Sequence, residues 1–257
     1  MRDFGGFVYL DVQKTGSRFI GEVLVRFANV RQVDYVKHAC VRPGRPLSRL
    51  HFISCRDPLD QYLSLYSFGC QGRGRFAERL DGAGLGSVYD GTSSGFAEWV
   101  RAVLDPTRAG QFSDAHAKVS SVIGLQTFRY LWLALDKRRQ LLACRTRQEV
   151  AALHDAHNIA QVVIRFEGLR ESLVSLIEGP LAAFIKDIPA AVDYVRSAPP
   201  LNTSVRIDRD PAFVVDNATL AIIEEREWFF FEKLGYPRYG SSAARDPRHG
   251  THSAAVA

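Results

Sequence analysis

An α/β fold on a largely parallel sheet is predicted by two strand–loop–helix units in the first part of the chain and by strand and helix patterns alternating after them. Phe7 to Val12 is a short, nearly continuous apolar run, the pattern of a strand buried on both faces. Gln13 to Gly16 breaks it. Phe19, Ile20, Val23, Leu24 and Phe27 then share one helical face. Val33 to Val36 reads as a short strand ending near His38. The second unit opens with a strand over Leu50–Cys55. Asp57 is placed to cap the following helix, with Pro58 at its first position. Leu59, Tyr62, Leu63 and Tyr66 form its apolar stripe. Asp60, Gln61 and Ser64 fall off that stripe, which leaves Ser64 free to face a ligand.

Residues 69–95 are rich in Gly and Arg with little periodicity, so a long loop is expected there, of the kind that covers a substrate. Helices are expected from Phe96 to about Leu104 and from Val119 to Leu135, and a strand over Gln161–Phe166. Ala218 to Leu234 reads as one final helix, stopped by Gly235 and Pro237. The organisation is thus a single domain over residues 1–240 and a flexible tail over 241–257.

The chain has 257 residues, of which 46% are hydrophobic, enough for a core and against wholesale disorder. A formal net charge of +5 suits an anionic ligand, but the Arg residues are scattered and no aromatic–basic nucleic-acid motif occurs. Cys40, Cys55, Cys70 and Cys144 form no CxxC pair, so neither a zinc site nor a disulfide framework is expected. No apolar run approaches the roughly 18 residues of a membrane span. The expectation is a cytoplasmic protein without stable membrane insertion, nucleic-acid partner or metal.

Two places carry chemistry. Lys14-Thr15-Gly16-Ser17-Arg18-Phe19 sits at a strand end, where open α/β sheets bind ligands. Gly16 permits a tight turn, and unpartnered N–H groups at a helix start favour phosphate or sulfate. Lys14, Ser17 and Arg18 add donors. The GxxxxGK[ST] pattern of an ATP-binding loop is absent, as is an obvious magnesium ligand, which argues against an ATP-dependent kinase. The second place pairs Arg56 with Ser64, an Arg fork and a hydroxyl suited to a second phosphate. An ordinary strand-to-helix turn and a surface Arg paired with Asp57 or Asp60 are the plain alternatives.

In this order the two sites resemble the donor-binding motifs of sulfotransferases that use PAPS (3′-phosphoadenosine 5′-phosphosulfate). Lys14-Thr15-Gly16-Ser17 resembles the loop around the donor's 5′-phosphosulfate. Phe52-Ile53-Ser54-Cys55-Arg56-Asp57-Pro58, continuing through Tyr62, Ser64, Leu65 and Tyr66, is similar to the 3′-phosphate motif, including the eight-residue step from Arg56 to Ser64. The wording is closest to the carbohydrate-directed branch. Val163 to Leu169 and Glu227 to Tyr236 are fainter likenesses. Gln13 stands where the family usually has Pro, Arg18 where it often has Thr, and a late Arg-Lys-Gly segment is not found.

The resemblance implies a central parallel sheet flanked by helices, akin to the P-loop nucleotide kinases. It implies transfer of a sulfuryl group from PAPS to a hydroxyl, with release of PAP and no metal. The acceptor would be a carbohydrate, a glycolipid or a natural product; the lack of a membrane-anchoring run argues against a Golgi-type enzyme, so a bacterial cytoplasmic enzyme is expected. Lys14 would stabilise charge on the leaving phosphate, while backbone N–H groups from Thr15 to Phe19 hold the donor's oxygens. Arg56 and Ser64 would hold the 3′-phosphate. His38 is the first choice of base, since imidazole titrates near neutrality. His116 and Glu22 are the reserves, and His51 reads as structural. Arg73, Arg75 and Arg79 would suit an anionic acceptor, and Asn202, Thr203, Ser204 and Arg206 form a polar loop that could reach the site. An inactive relative that only holds PAP or another nucleotide is the rival reading.

Overall fold

Phe7–Leu10 (β2) is buried at every position, and its side chains divide by alternation between two cores. Phe7 and Tyr9 pack with Phe52 and Ile164 under one helical layer, while Val8 and Leu10 pack with Ile53 and Cys55 under the other. Strands of this kind need cover on both faces. In this computed structural model, which describes residues 1–42, 44, 46–199 and 205–240, that cover is complete. The expected tail over 241–257 and the Asn202–Ser204 part of the expected polar loop lie outside the described residues.

The chain opens with Arg2–Asp3 (β1), then β2, Ser17–Phe27 (α1), Asp34–Tyr35 (β3), Leu50–Cys55 (β4) and Pro58–Cys70 (α2). A helical excursion follows: Arg75–Gly82 (α3), Ser93–Leu104 (α4), Ala109–Phe112 (α5), Asp114–Ala117 (α6), Leu125–Ala134 (α7) and Arg147–His157 (α8). The chain returns to the sheet with Val162–Arg165 (β5) and ends through Leu169–Glu178 (α9), Ile188–Ser197 (α10), Asn217–Arg226 (α11) and Trp228–Glu232 (α12). α1, α9 and α10 contribute to the core on one face of the sheet; α7 and α12 contribute to the core on the other. A third core joins α2, α4 and α11, centred on Tyr62, Tyr66 and Trp99.

The five strands run in the order β3-β1-β2-β4-β5. β2, β4 and β5 are parallel, with Leu10 opposite Ile53 and Ile53 opposite Val163. β1 is antiparallel to both β2 and β3. The sheet is therefore mixed, which corrects the expectation of a mostly parallel one. The cause is a reversal at Gly5 (φ 78°), which folds β1 back beside β2. Strands of two residues carry no periodicity from which this could be read.

Three further expectations change. Residues 69–95 are not one long loop: they hold α3, a 3-10 turn at Gly86–Val88 and the start of α4. Gly72, Gly74 and Gly84, all at positive φ, bracket α3 rather than mark its absence. The helix expected from Val119 starts at Leu125. The final helix is broken at Glu227 into α11 and α12. Asp57, by contrast, caps α2 as expected, accepting the Asp60 N–H at 3.0 Å. Among the described residues, no helix is long and apolar enough to cross a membrane.

Candidate active site

The C-terminal ends of β2, β4 and β5 share one sheet edge, and the loops leaving them meet there. Leaving β2, the chain turns through Lys14 at φ 65° and Gly16 at φ 79°. Among the described residues, the N–H groups of Lys14, Thr15, Gly16 and Ser17 donate to nothing, and α1 starts at Ser17 with no side-chain cap. Alternating backbone handedness with free N–H groups at a helix start forms a concavity for an anion. Gly16 is required twice over. A side chain there would be strained by φ, and its Cβ would stand 2.8 Å from Leu169 Cδ2.

The loop is held from beneath and from the side. The Thr15 hydroxyl donates to the Val12 carbonyl at 2.8 Å and lies 2.6 Å from Ser54 Oγ, so it faces the interior and only the backbone of Thr15 is available to a ligand. Gln61 Nε2 donates to the Gln13 carbonyl at 2.7 Å. Arg56 Nη1 donates to the Lys14 carbonyl at 3.0 Å. This last bond ties the loop after β2 to the loop after β4 and brings the two sequence motifs together. Phe19 is buried in the core, leaving its backbone alone at the site, whereas Ser17 is half-buried and Arg18 exposed.

Arg56 is buried, its ζ carbon 3.9 Å from the Phe166 ring centre, and its Nε donates to Asp60 Oδ2 at 2.5 Å. The opposite Asp60 oxygen pairs with Arg206 at 2.6 Å, and Arg206 also holds Asp208. Burial pushes the Asp60 carboxyl up, but Arg56 and Arg206 outweigh it and hold it below the usual carboxylate range. Arg206, the described residue of the expected polar loop, is thereby tied to α2 beside Arg56. Ser64 lies one turn beyond Asp60 on α2, and its hydroxyl makes no hydrogen bond among the described residues. It is buried rather than on an exposed flank, because α2 is enclosed on more than one side and buries Gln61 through Ser67.

Lys14 Nζ rests 3.6 Å from the Phe68 ring centre, and Arg73 stacks on the same ring at 4.6 Å. Burial, with the positive charges of Arg56, Arg73, Lys37 and Arg129, pushes the Lys14 ammonium down to about 8. The pocket around it is cationic, and Arg73 of the expected covering segment belongs to it. Arg79 does not, since it donates to the Phe112 carbonyl in the third core.

His38 is clamped at the end of β2. Its N–H donates to Asp11 Oδ1 at 3.1 Å and its Nδ1 donates to the Asp11 carbonyl at 2.7 Å. That partner fixes the proton on Nδ1 and leaves Nε2 as an acceptor. Burial pushes the imidazole below its ordinary value. The backbone pays with φ 56°. The reserve bases lie elsewhere. His116 is buried, donates Nε2 to Ile123 and is pushed down to about 4 by burial. Glu22 accepts from Tyr194 on α10. His51 is buried within β4.

Two supporting carboxylates were not read as such from sequence. Glu167, which follows β5, accepts the Asp57 N–H at 2.6 Å and the Tyr236 hydroxyl at 3.1 Å, fixing the start of α2. Glu227 is fully buried and accepts from Gln126 N–H (3.0 Å), Thr127 N–H (2.7 Å), the Thr127 hydroxyl (2.6 Å) and the Tyr62 hydroxyl. A carboxylate here has no local sequence signal, since its partners lie about a hundred residues away. Among the described residues, no His, Cys, Asp and Glu cluster is placed to hold a metal ion. A cleft at Arg170, Glu171 and Arg196 lies on α9 and α10 and contains none of the residues above. No family model matches the chain, and no curated protein or solved structure matches it significantly.

Proposed function

We propose that this chain is a PAPS-dependent sulfotransferase, acting on a hydroxyl of a carbohydrate, glycolipid or natural product and releasing PAP. The observation that carries the reading is the bond from Arg56 to the Lys14 carbonyl, which joins an N–H concavity to a guanidinium cluster across the two loops. That spacing of two anion-binding poles suits a nucleotide with phosphates at both ends of its ribose. Asp60 pairs with both Arg56 and Arg206, whose donors a phosphate would take over, and Ser64 follows one turn later on α2. On this reading the parallel β2, β4 and β5 form the heart of a sulfotransferase fold akin to nucleotide kinases.

The reaction needs three things from the chain. The free N–H groups of the loop hold the sulfuryl and 5′-phosphate oxygens. His38 Nε2 takes the acceptor's proton as the acceptor oxygen bonds to sulfur. The bond from sulfur to the phosphate's bridging oxygen breaks, its electron pair stays on the phosphate, and Lys14 offsets that charge. The test is PAP release from PAPS in the presence of a panel of sugars, amino sugars and phenols. Release that depends on one acceptor class and is lost in Lys14→Ala supports the reading. PAP binding with no release from any acceptor points to an inactive nucleotide-holding relative.

A further inference from the structure

The two anion poles are built differently. At α1 the loop keeps its N–H groups open among the described residues. At α2 every N–H of the first turn is spent. Asp57 N–H donates to Glu167 at 2.6 Å, Asp60 N–H to the Asp57 carboxylate at 3.0 Å and Gln61 N–H to the Asp57 carbonyl at 2.8 Å. Pro58 has no N–H to give. That leaves Leu59, whose N–H donates to the Tyr239 hydroxyl at 2.9 Å. The same hydroxyl donates to Asp57 Oδ1 at 3.3 Å. A phosphate at this pole therefore finds side chains and no helix amides. Its fit depends on where the Arg56 guanidinium is held.

Tyr239 lies 180 residues from Leu59 in sequence and is fixed by the last two helices. Its N–H donates to Glu224 on α11, and its ring meets Phe231 on α12 edge-on at 5.3 Å. The preceding Arg238 pairs with Glu232 at 3.1 Å. The Tyr239 ring also packs against two of the three cores, so its hydroxyl is presented at a fixed point. Arg56 directly precedes the cap that this hydroxyl holds, and Asp60, the partner of Arg56 Nε, stands on the turn that it pins.

We infer that Tyr239 is a positioning residue for the second pole: its hydroxyl fixes the start of α2 and thereby aims the Arg56 fork at a nucleotide's 3′-phosphate. The inference rests on the donor reading for the identity of the ligand. Tyr236, on the same segment, supplies the contrast. Its hydroxyl reaches α2 only through Glu167, whose other oxygen holds the Asp57 N–H.

The experiment is calorimetry without magnesium, with PAP and with ADP, which lacks the 3′-phosphate. The full chain is compared with Tyr239→Phe, Tyr236→Phe, Arg56→Ala and the double variant Arg56→Ala/Tyr239→Phe. Tyr239→Phe keeps the ring; it should weaken PAP about three- to tenfold, the worth of one hydrogen bond, and leave ADP unchanged. Tyr236→Phe should keep most of the preference for PAP. Because Tyr239 acts through Arg56, the double variant should bind PAP no more weakly than Arg56→Ala alone. In the ligand-free chain, amide exchange at Leu59 should rise in Tyr239→Phe, which reads the contact without any nucleotide. Equal losses for PAP and ADP, additive losses in the double variant, an unmoved Leu59 amide or a preference kept whole in Tyr239→Phe would overturn the positioning role. A parent chain without any preference for PAP would overturn the donor reading, and the ligand assigned here with it, so the parent alone tells the two failures apart.

Discussion

Lys14 is a cation in a position that disfavours one: half-buried, and near the positive charges of Arg56, Arg73, Lys37 and Arg129. A bound anion relieves both penalties, which makes the strain useful rather than accidental. The sign of the pH dependence follows. Lys14 loses its proton near pH 8 in the free protein, so kcat/KM should fall above that value; His38, pushed below 6.5, should give the acid limb. Lys14→Arg should move the alkaline limb out of the measured range, and an unmoved limb would assign it elsewhere. His38→Ala should lower kcat by about 10²–10⁴-fold, the usual worth of a positioned base. Between pH 8 and 10.5 the unfolded chain binds the Lys14 proton that the folded chain has released, so this group makes the fold more stable as pH rises through that window. Gly16→Ala combines positive φ with a 2.8 Å approach to Leu169 and should cost about 1–3 kcal/mol in urea unfolding.

At the scale of elements, Glu227 does the work that sequence patterns hide. It interrupts the last helix and caps α7, and through Tyr62 it fixes α2. Glu227→Gln turns one acceptor into a donor facing N–H groups, and should cost about 2–3 kcal/mol by the urea midpoint, from charge-assisted bonds lost in the interior. A loss near zero would mean that α7 is held by packing alone. What was legible beforehand were the elements with local signals. The Phe7–Val12 and Leu50–Cys55 runs, the Asp57 cap and the Phe19–Phe27 face announce themselves within one stretch of chain. The turn at Gly16 and the place of Arg56 directly after β4 were legible for the same reason. The direction of β1, the helix α3 between glycines, the burial of Ser64 and the cap at Glu227 depend on partners distant in sequence. Periodicity carries no record of them.

For the molecule as a whole, the parallel β2, β4 and β5 deliver their loops to one edge, while β1, antiparallel to both its neighbours, and β3 extend the sheet on the far side of β2. A nucleotide seated at that edge should leave a footprint. Hydrogen exchange should slow at residues 14–19 and 56–64 when PAP is added, and stay unchanged across α10, which packs on α1 and α9. Protection spread evenly over the chain would indicate general stabilisation instead of a seat at the edge. The central claim is that two anion poles across two loops select a nucleotide carrying a 3′-phosphate. It is tested most directly by calorimetry of PAP against ADP without magnesium, on the parent chain and on Arg56→Ala. PAP should bind far more tightly than ADP, and Arg56→Ala should remove most of that preference, costing roughly 1.5–3 kcal/mol, or about one to two decades. Equal binding of PAP and ADP, or binding of neither, would contradict the account.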